Sequence, residues 1–582
     1  MPKRTPTRTP AQPLQPTRTI AVSESALCPN ASNLSNVSAP EAAREQSTVA
    51  QVIAEVCSRH GVHRIYGLPG GGSSLDVMQA CAALDMPFIL AHTEAAAGMM
   101  AAADAEANGG IAVVVTTQGP GTASVVNAIA HAALDRVPVL LITDGWTAQQ
   151  SVHDSHQVFD QQALMKPLVK AHTRLQGEQV ADELERLIAL AMKEPWGPVY
   201  VELTGENARR KVVHQHVDPG HCVSIQHSVD ETGLLAAKRL IGQARRPIVI
   251  VGLEARDPEV AQKVRAFVQQ LRCPLLTTYK AKGTVPDAEA PMLGLFTGGA
   301  LERESVGSAD LIILCGIDPV ELIGRPWGYH VPVLDLSPID HAPHYVEPML
   351  KLRLPLTDAL DALSSVTPST GWPVEEFATL KSSMRTRLGY EGQGEGLTPE
   401  QVVSIAATAS TSHDPRIAVD AGAHMFSAMA FWNAKRPGDV LISNGLASMA
   451  FALPAGIALS LSDRSRQVMA FTGDGGLLMC IGELATAARE GVKLCVIVFN
   501  DSTLSLIQIK QQSRGLARDG IGWPRLDFAA IARGFGLEAC SVATAQNYQA
   551  ALERAFETQG PYLIDVQVDP SGYLAQSQAL RG

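Results

Sequence analysis

Aromatic residues make up only 5% of this chain and charged residues 18%. No stretch approaches twenty uninterrupted apolar residues, so the sequence predicts no transmembrane helix and no membrane partner. No basic run interrupts the body of the chain, and 58 acids against 47 Lys and Arg leave a net charge of −11. That balance argues against nucleic acid as a partner. Nine cysteines, from Cys28 to Cys540, stand singly, with no CxxC and no metal-site spacing. They read as reduced, mostly buried thiols, which predicts a cytoplasmic protein. What remains is 582 residues at 46% hydrophobic content, too long for one core and suited to three or four well-buried α/β domains.

Residues 1–46 lack sustained periodicity and the apolar core of a secretory signal. Lys3, Arg4, Arg8 and Arg18, with no acid in the first 23 residues, faintly suggest an organelle transit peptide. Proline at positions 2, 6, 10, 13 and 16 opposes the amphipathic helix such a peptide forms, so a disordered tail is expected.

The most informative stretch runs from Phe471 to Gln511. An apolar run, Gln467 to Thr472, leads into Gly473-Asp474-Gly475-Gly476; a helical pattern follows with Leu478, Ile481, Leu484, Ala485 and Ala488 at three- and four-residue steps. A second apolar run, Val492 to Phe499, ends at Asn500-Asp501. This predicts a βαβ unit with an acid at the carboxyl end of each of two parallel strands. Glycines ahead of a helix leave N–H groups free for a phosphate, and Asp474 with Asp501 can share one hard divalent cation with it. A Gly-Asp-Gly alone occurs in many turns; joined to a helix, a strand and Asn-Asp 27 positions on, it is far more specific.

On these residues the chain resembles thiamine-diphosphate enzymes of the acetolactate synthase and pyruvate decarboxylase type. The resemblance implies Mg²⁺ held by Asp474, by Asp501 (commonly Asn in that family) and by the main-chain carbonyl of Thr503. It also implies three doubly wound parallel-sheet α/β domains behind the disordered tail: a pyrimidine-binding domain at 47–210, a central domain at 229–364, a linker at 365–397 and a diphosphate-binding domain at 398–576.

Other residues acquire roles by the same comparison. Glu94, at the end of a strand and the start of the alanine-rich helix Ala95 to Asn108, would be a favourable helix-start acid on composition alone. The resemblance makes it the glutamate that hydrogen-bonds N1′ of the cofactor and promotes the imino form of the pyrimidine, whose 4′-nitrogen then acts as a base. Met449 falls where the family places a large apolar wedge that bends the cofactor; plain core filling is the alternative. Gly422 and His424 match two of the three residues of a Gly-Gln-His at the diphosphate, with Ala423 departing from it. Gly473, Gly475 and Gly476 belong to the diphosphate loop. Gln118, in a Gly/Pro turn, borders the pyrimidine pocket. Gly70 and Gly71 are further cofactor-binding candidates, in a loop whose spacing does not match a dinucleotide fingerprint. His156 and Gln157, in the polar stretch 151–161, are candidates for substrate contact or proton relay.

The substrate is the least determined feature. Acetolactate synthases carry a Trp after the metal loop that selects the acceptor; here Lys510 stands at that place, able to pair with a substrate anion or to be a solvated helix residue. The absence of a His-His pair makes one class of decarboxylase a poor match. FAD, bound by acetolactate synthases in the central domain, is possible but not favoured, because the Arg-Phe-Asp-Asp-Arg run those enzymes carry is replaced by Ile317-Asp318-Pro319. The resemblance therefore predicts decarboxylation of a 2-oxo acid and transfer of the resulting carbanion–enamine to a carbonyl acceptor, by a homodimer or homotetramer with active sites between subunits. The alternatives are a non-ligating 2-oxo acid decarboxylase, a flavin-linked oxidase and a catalytically silent regulatory relative.

Overall fold

Long runs of Val, Ile and Leu without polar alternation suit strands covered on both faces, and this chain uses them for three parallel sheets. In the computed structural model, which describes residues 46–213, 230–322, 326–342 and 344–582, each sheet has six strands, all parallel. The expected tail lies outside the described residues apart from Gln46, which opens a two-stranded antiparallel ribbon, Gln46–Thr48 against Lys211–Val213.

Across the first sheet the strands run Phe88–Leu90, Ile65–Leu68, Ala112–Thr116, Val139–Asp144, Val199–Leu203 and His172–Arg174. The central sheet runs Met292–Leu295, Leu275–Thr277, Pro247–Val251, Leu311–Cys315, Val333–Leu336 and Leu350–Leu352. The third runs Val440–Ile442, Arg416–Val419, Val468–Gly473, Leu494–Asn500, Tyr562–Gln567 and Glu538–Val542. Each is doubly wound, with a reversal of strand order between Ile65–Leu68 and Ala112–Thr116, between Pro247–Val251 and Leu311–Cys315, and between Arg416–Val419 and Val468–Gly473. The first and third sheets reverse again at the far edge, where His172–Arg174 lies outside Val199–Leu203 and Glu538–Val542 outside Tyr562–Gln567. In open α/β sheets the crevice beyond the carboxyl ends of the strands at such a reversal is where ligands bind.

Local chemistry explains the boundaries. Thr48 and Thr398 each accept a hydrogen bond from the backbone three residues on, and Gln51 and Gln401 return the bond, closing a capping box at both helix starts. The helix Glu94–Asn108 ends at Gly109, which takes a left-handed conformation. The helical pattern expected from Leu478 to Ala488 is divided into Asp474–Met479 and Glu483–Glu490. The break falls where Gly482 comes so close to the first domain that a Cβ there would lie 3.2 Å from His92 Cβ. Within 365–397, expected as a linker, lies the helix Val374–Leu388, whose Phe377, Leu380, Met384 and Leu388 are buried.

Two cores are shared between domains. One is continuous from the central domain into the third, and another joins the inner face of the first domain to the opposite face of the third. The outer face of the first domain has a core of its own. Buried charges reinforce the junction: Lys280 donates to Glu106 at 2.8 Å and lies 3.4 Å from Asp135, and Arg256 also pairs with Glu106. Burial opposes charge on Asp135, yet Lys280 and His131 hold its carboxyl below the usual range.

Candidate functional site

The third domain presents its chemistry at its strand reversal. Asp420 follows the strand Arg416–Val419, is fully buried, and accepts hydrogen bonds from the backbone of Ala450 (3.1 Å) and Phe451 (3.0 Å) and from the Thr472 hydroxyl (2.9 Å). Burial pushes its carboxyl up to about 6 against those donors. The loop it holds projects Met449, flanked by Ala447 and Ala450 at φ 53° and 68°. Left-handed conformations are costly outside glycine, and two in four residues mark a backbone held by its surroundings. Gly476 must be glycine here, since a Cβ would fall 2.1 Å from Asp420 Oδ2.

Asp474 and Asp501 end adjacent strands, Val468–Gly473 and Leu494–Asn500, paired in parallel register. Asp474 is 2% exposed and accepts the backbone N–H of Ser502 at 2.6 Å; Asp501 accepts the N–H of Thr503 at 3.2 Å and the Ser505 hydroxyl. Burial, together with the neighbouring Asp501 charge, pushes the Asp474 carboxyl up to about 7, and burial pushes Asp501 up to about 6. Two neighbouring carboxylates crowded out of water suit a shared cation. Among the described residues no group of three or more His, Cys, Asp or Glu could hold a metal, so an ion here would need ligands beyond the two carboxylates. His424 stacks on Phe499 with ring centroids 5.2 Å apart, beside Gly422 and Gly473. Burial holds its imidazole down at about 4, and its Nε2 is buried without a hydrogen-bond partner.

The first domain carries Glu94 at the first position of its helix, capped by Thr93, whose hydroxyl accepts the Ala96 N–H. Glu94 is 9% exposed and takes no hydrogen bond among the described residues; its Oε1 faces Gly121, across from Thr116 and Thr117. The strand end ahead of it is tied to the third domain: Glu483, fully buried, accepts the backbone N–H groups of His92 (2.9 Å) and Thr93 (3.2 Å). Gln161 holds the Gly/Pro turn by accepting from Gly119 N–H at 2.7 Å and the Thr122 hydroxyl at 2.6 Å. Gln157 packs against Gly119 but is exposed, as is His156. Gln118 is half-buried on that turn. Gly70 closes on Thr117 and Asp144, while Gly71 faces open space.

The structure brings Met449, Gly475, Asp474, Asp501 and Thr503 together and sets His424 and Gly422 beside Gly473. Glu94, Gln118, Gln157 and His156 cluster at the carboxyl end of the first sheet, and Lys510 is exposed on the helix Ser505–Ser513. Glu483, Asp420, Gln161 and Trp523 are residues that the motifs do not announce. Trp523 lies 22 positions beyond Asp501 and meets Gly475 only through the fold.

In the central domain the reversal crevice is occupied by the protein itself. Glu321, 5% exposed, accepts the N–H groups of Leu253 (2.8 Å) and Asp318 (3.2 Å) and the Thr278 hydroxyl. These are the donors a nucleotide phosphate would use, so the crevice does not fit the phosphate of FAD.

Three sequence models of thiamine pyrophosphate enzymes match this chain in order: the N-terminal TPP binding domain at residues 47–164, the central domain at 234–332 and the C-terminal TPP binding domain at 420–566. The chain belongs to the thiamine pyrophosphate enzyme family. Within it the chain is acetolactate synthase-like. It is 25% identical over 555 residues to acetolactate synthase of Bacillus subtilis (strain 168), spanning 91% of this chain and 96% of the relative. It is 27% identical over 542 residues to acetolactate synthase isozyme 1 large subunit of Escherichia coli (strain K12), spanning 90% and 95%. Among solved structures, the fold matches the thiamine diphosphate-dependent 4-hydroxybenzoylformate decarboxylase of Rhodococcus jostii RHA1 at a TM-score of 0.77 and 20% identity, covering 90% of this chain and 99% of that one.

Proposed function

We propose that this enzyme uses thiamine diphosphate and Mg²⁺ to decarboxylate a 2-oxo acid and join the remaining fragment to a carbonyl acceptor. The observation that carries the reading is the convergence of Asp474, Asp501, Gly475 and Met449 at one strand reversal. The site fits the cofactor. His424 Nε2 is a buried nitrogen lacking a partner, Gly476 permits close approach beside Asp420, and two neighbouring carboxylates favour a divalent ion.

Bound there, the cofactor supplies a nucleophilic thiazolium carbon and a sink for the electrons released with CO₂. The chain does the rest. Asp474, Asp501 and the Thr503 carbonyl would hold an ion beside the diphosphate. Met449 would pack against the cofactor's rings. Glu94 would hold a proton at the far ring nitrogen, which acidifies the ring's amino group and favours the imino form that can act as a base. Glu94 and the metal loop act together across a homodimer interface. His156 and Gln157 line the approach for substrate, and Lys510 stands at its outer rim.

The purified chain, supplied with Mg²⁺ and thiamine diphosphate, is tested against a panel of 2-oxo acids with and without aldehyde or ketone acceptors. The expected result is CO₂ release with a hydroxyketone or hydroxyketo acid product. Free aldehyde as the sole organic product replaces ligation with simple decarboxylation. No CO₂ from any donor, together with no cofactor binding by calorimetry, overturns the reading.

A further inference from the structure

The segment after the helix Ser505–Ser513 folds back along the metal-binding loop. Leu504 N–H donates to the Ile521 carbonyl at 2.8 Å, Trp523 N–H donates to the Ser502 carbonyl at 3.2 Å, and Thr503 pairs with Gly522 in an antiparallel bridge. Arg518 donates to the Thr503 hydroxyl at 2.7 Å, and Asn500 Nδ2 donates to the Leu526 carbonyl at 3.2 Å. The backbone of Trp523 is therefore fixed on both sides by the loop that carries Asp501.

Its side chain points back at the site. A Cβ on Gly475 would lie 2.8 Å from Leu504 Cδ2, 3.1 Å from Trp523 Cη2 and 3.6 Å from Met449 Cε. The indole, the Leu504 methyl and the thioether methyl thus converge on one glycine of the Gly-Asp-Gly turn. Trp523 Nε1 is buried with no hydrogen-bond partner, although the residue itself is only half-buried. A buried donor left unpaired is costly, and an oxygen brought by a ligand would relieve that cost. Lys510 is exposed on the preceding helix.

We propose that Trp523 is the specificity-determining residue of this site. Its indole forms the apolar wall that limits the group carried by the 2-oxo acid, and its Nε1–H donates to an anionic oxygen of the bound ligand. That oxygen belongs either to the cofactor diphosphate or to the substrate carboxylate. The proposal rests on the thiamine-diphosphate reading above.

The test compares the full-length wild-type chain with Trp523→Phe, which keeps a flat apolar ring and removes the N–H, and with Trp523→Ala, which removes the wall. Cofactor binding with Mg²⁺ is followed by calorimetry and by intrinsic tryptophan emission, and kcat/KM is measured for pyruvate and for benzoylformate. Cofactor binding should alter wild-type emission, and Trp523→Phe should lose most of that response while still binding. If the oxygen is the diphosphate's, Trp523→Phe weakens cofactor binding about tenfold; if it is the substrate's, cofactor affinity holds and KM for pyruvate rises about tenfold instead. Trp523→Ala should raise the benzoylformate-to-pyruvate ratio of kcat/KM at least tenfold, and Trp523→Phe should leave it nearly unchanged. A wild type that binds cofactor, alongside variants with unaltered affinity, emission response and substrate ratio, overturns the proposal alone. A wild type that binds no cofactor overturns the reading beneath it, and the proposal with it.

Discussion

Glu94 shows how little of a side chain's role is visible in its immediate contacts. It begins a helix, where any acid is favourable, yet the residue is only 9% exposed and its Oε1 lies beside Gly121 without a hydrogen bond among the described residues. A cap needs no such burial. Replacing it with Gln preserves the shape and removes the ability to share a proton. Glu94→Gln should cut kcat by about a hundredfold or more while cofactor affinity changes little, as measured by steady-state kinetics beside calorimetry. Asp501 makes the complementary case. In the proposed site either Asp or Asn at 501 would offer an oxygen to the ion, so Asp501→Asn should retain most Mg²⁺-dependent binding, whereas Asp474→Ala should abolish it, read from Mg²⁺ titrations of cofactor binding. The candidate cofactor residues could be picked out in the sequence because each sits within a few positions of a strand end and a glycine. Trp523 was not, because its contact with Gly475 is made only when a loop doubles back, and no local pattern records that.

Elements were legible in proportion to their regularity. The runs Val333–Leu336 and Leu494–Asn500 and the alanine-rich helix from Glu94 are read directly from composition. The helix Val374–Leu388 was hidden by its setting among Pro, Ser, Gly and charged residues, although Phe377, Leu380, Met384 and Leu388 follow helical spacing and are all buried. The division of the helical pattern after Asp474 was hidden for another reason: its cause lies in the first domain. Glu483 opens the second piece and receives the N–H groups of His92 and Thr93, just ahead of Glu94. Its removal takes the acceptor from two backbone donors at the domain junction. Glu483→Ala should destabilise the protein by roughly 1.5–3 kcal/mol in denaturant titrations and lower kcat. Glu483→Gln, whose amide oxygen still accepts, should recover much of both.

At the scale of the whole chain, the central domain behaves as structure, with Glu321 seated where another protein would keep a phosphate. Burial pushes its carboxyl up to about 8 against the donors around it. An unfolded Glu titrates at about 4.3, so between about pH 4 and 8 the unfolded chain holds fewer protons at this position than the folded one. Stability contributed here is therefore full at low pH and falls as pH rises through that window. Glu321→Gln, which cannot ionise, should gain stability relative to wild type on going from pH 5 to pH 8, measured by thermal melting at both. Purified wild-type protein should also show no visible flavin absorbance.

The third domain shares one core with the central domain and another with the first, while the outer face of the first domain, from Val49 to Val212, keeps a core to itself. This sets where natural or engineered recombination can act. A chimaera that borrows the outer helices of the first domain from a distant relative replaces one private interior and should remain folded. One that borrows the third domain must match two foreign interiors at once. The segment richest in cofactor chemistry is thus the hardest to transplant, and its sequence is free to drift only in step with both of its neighbours.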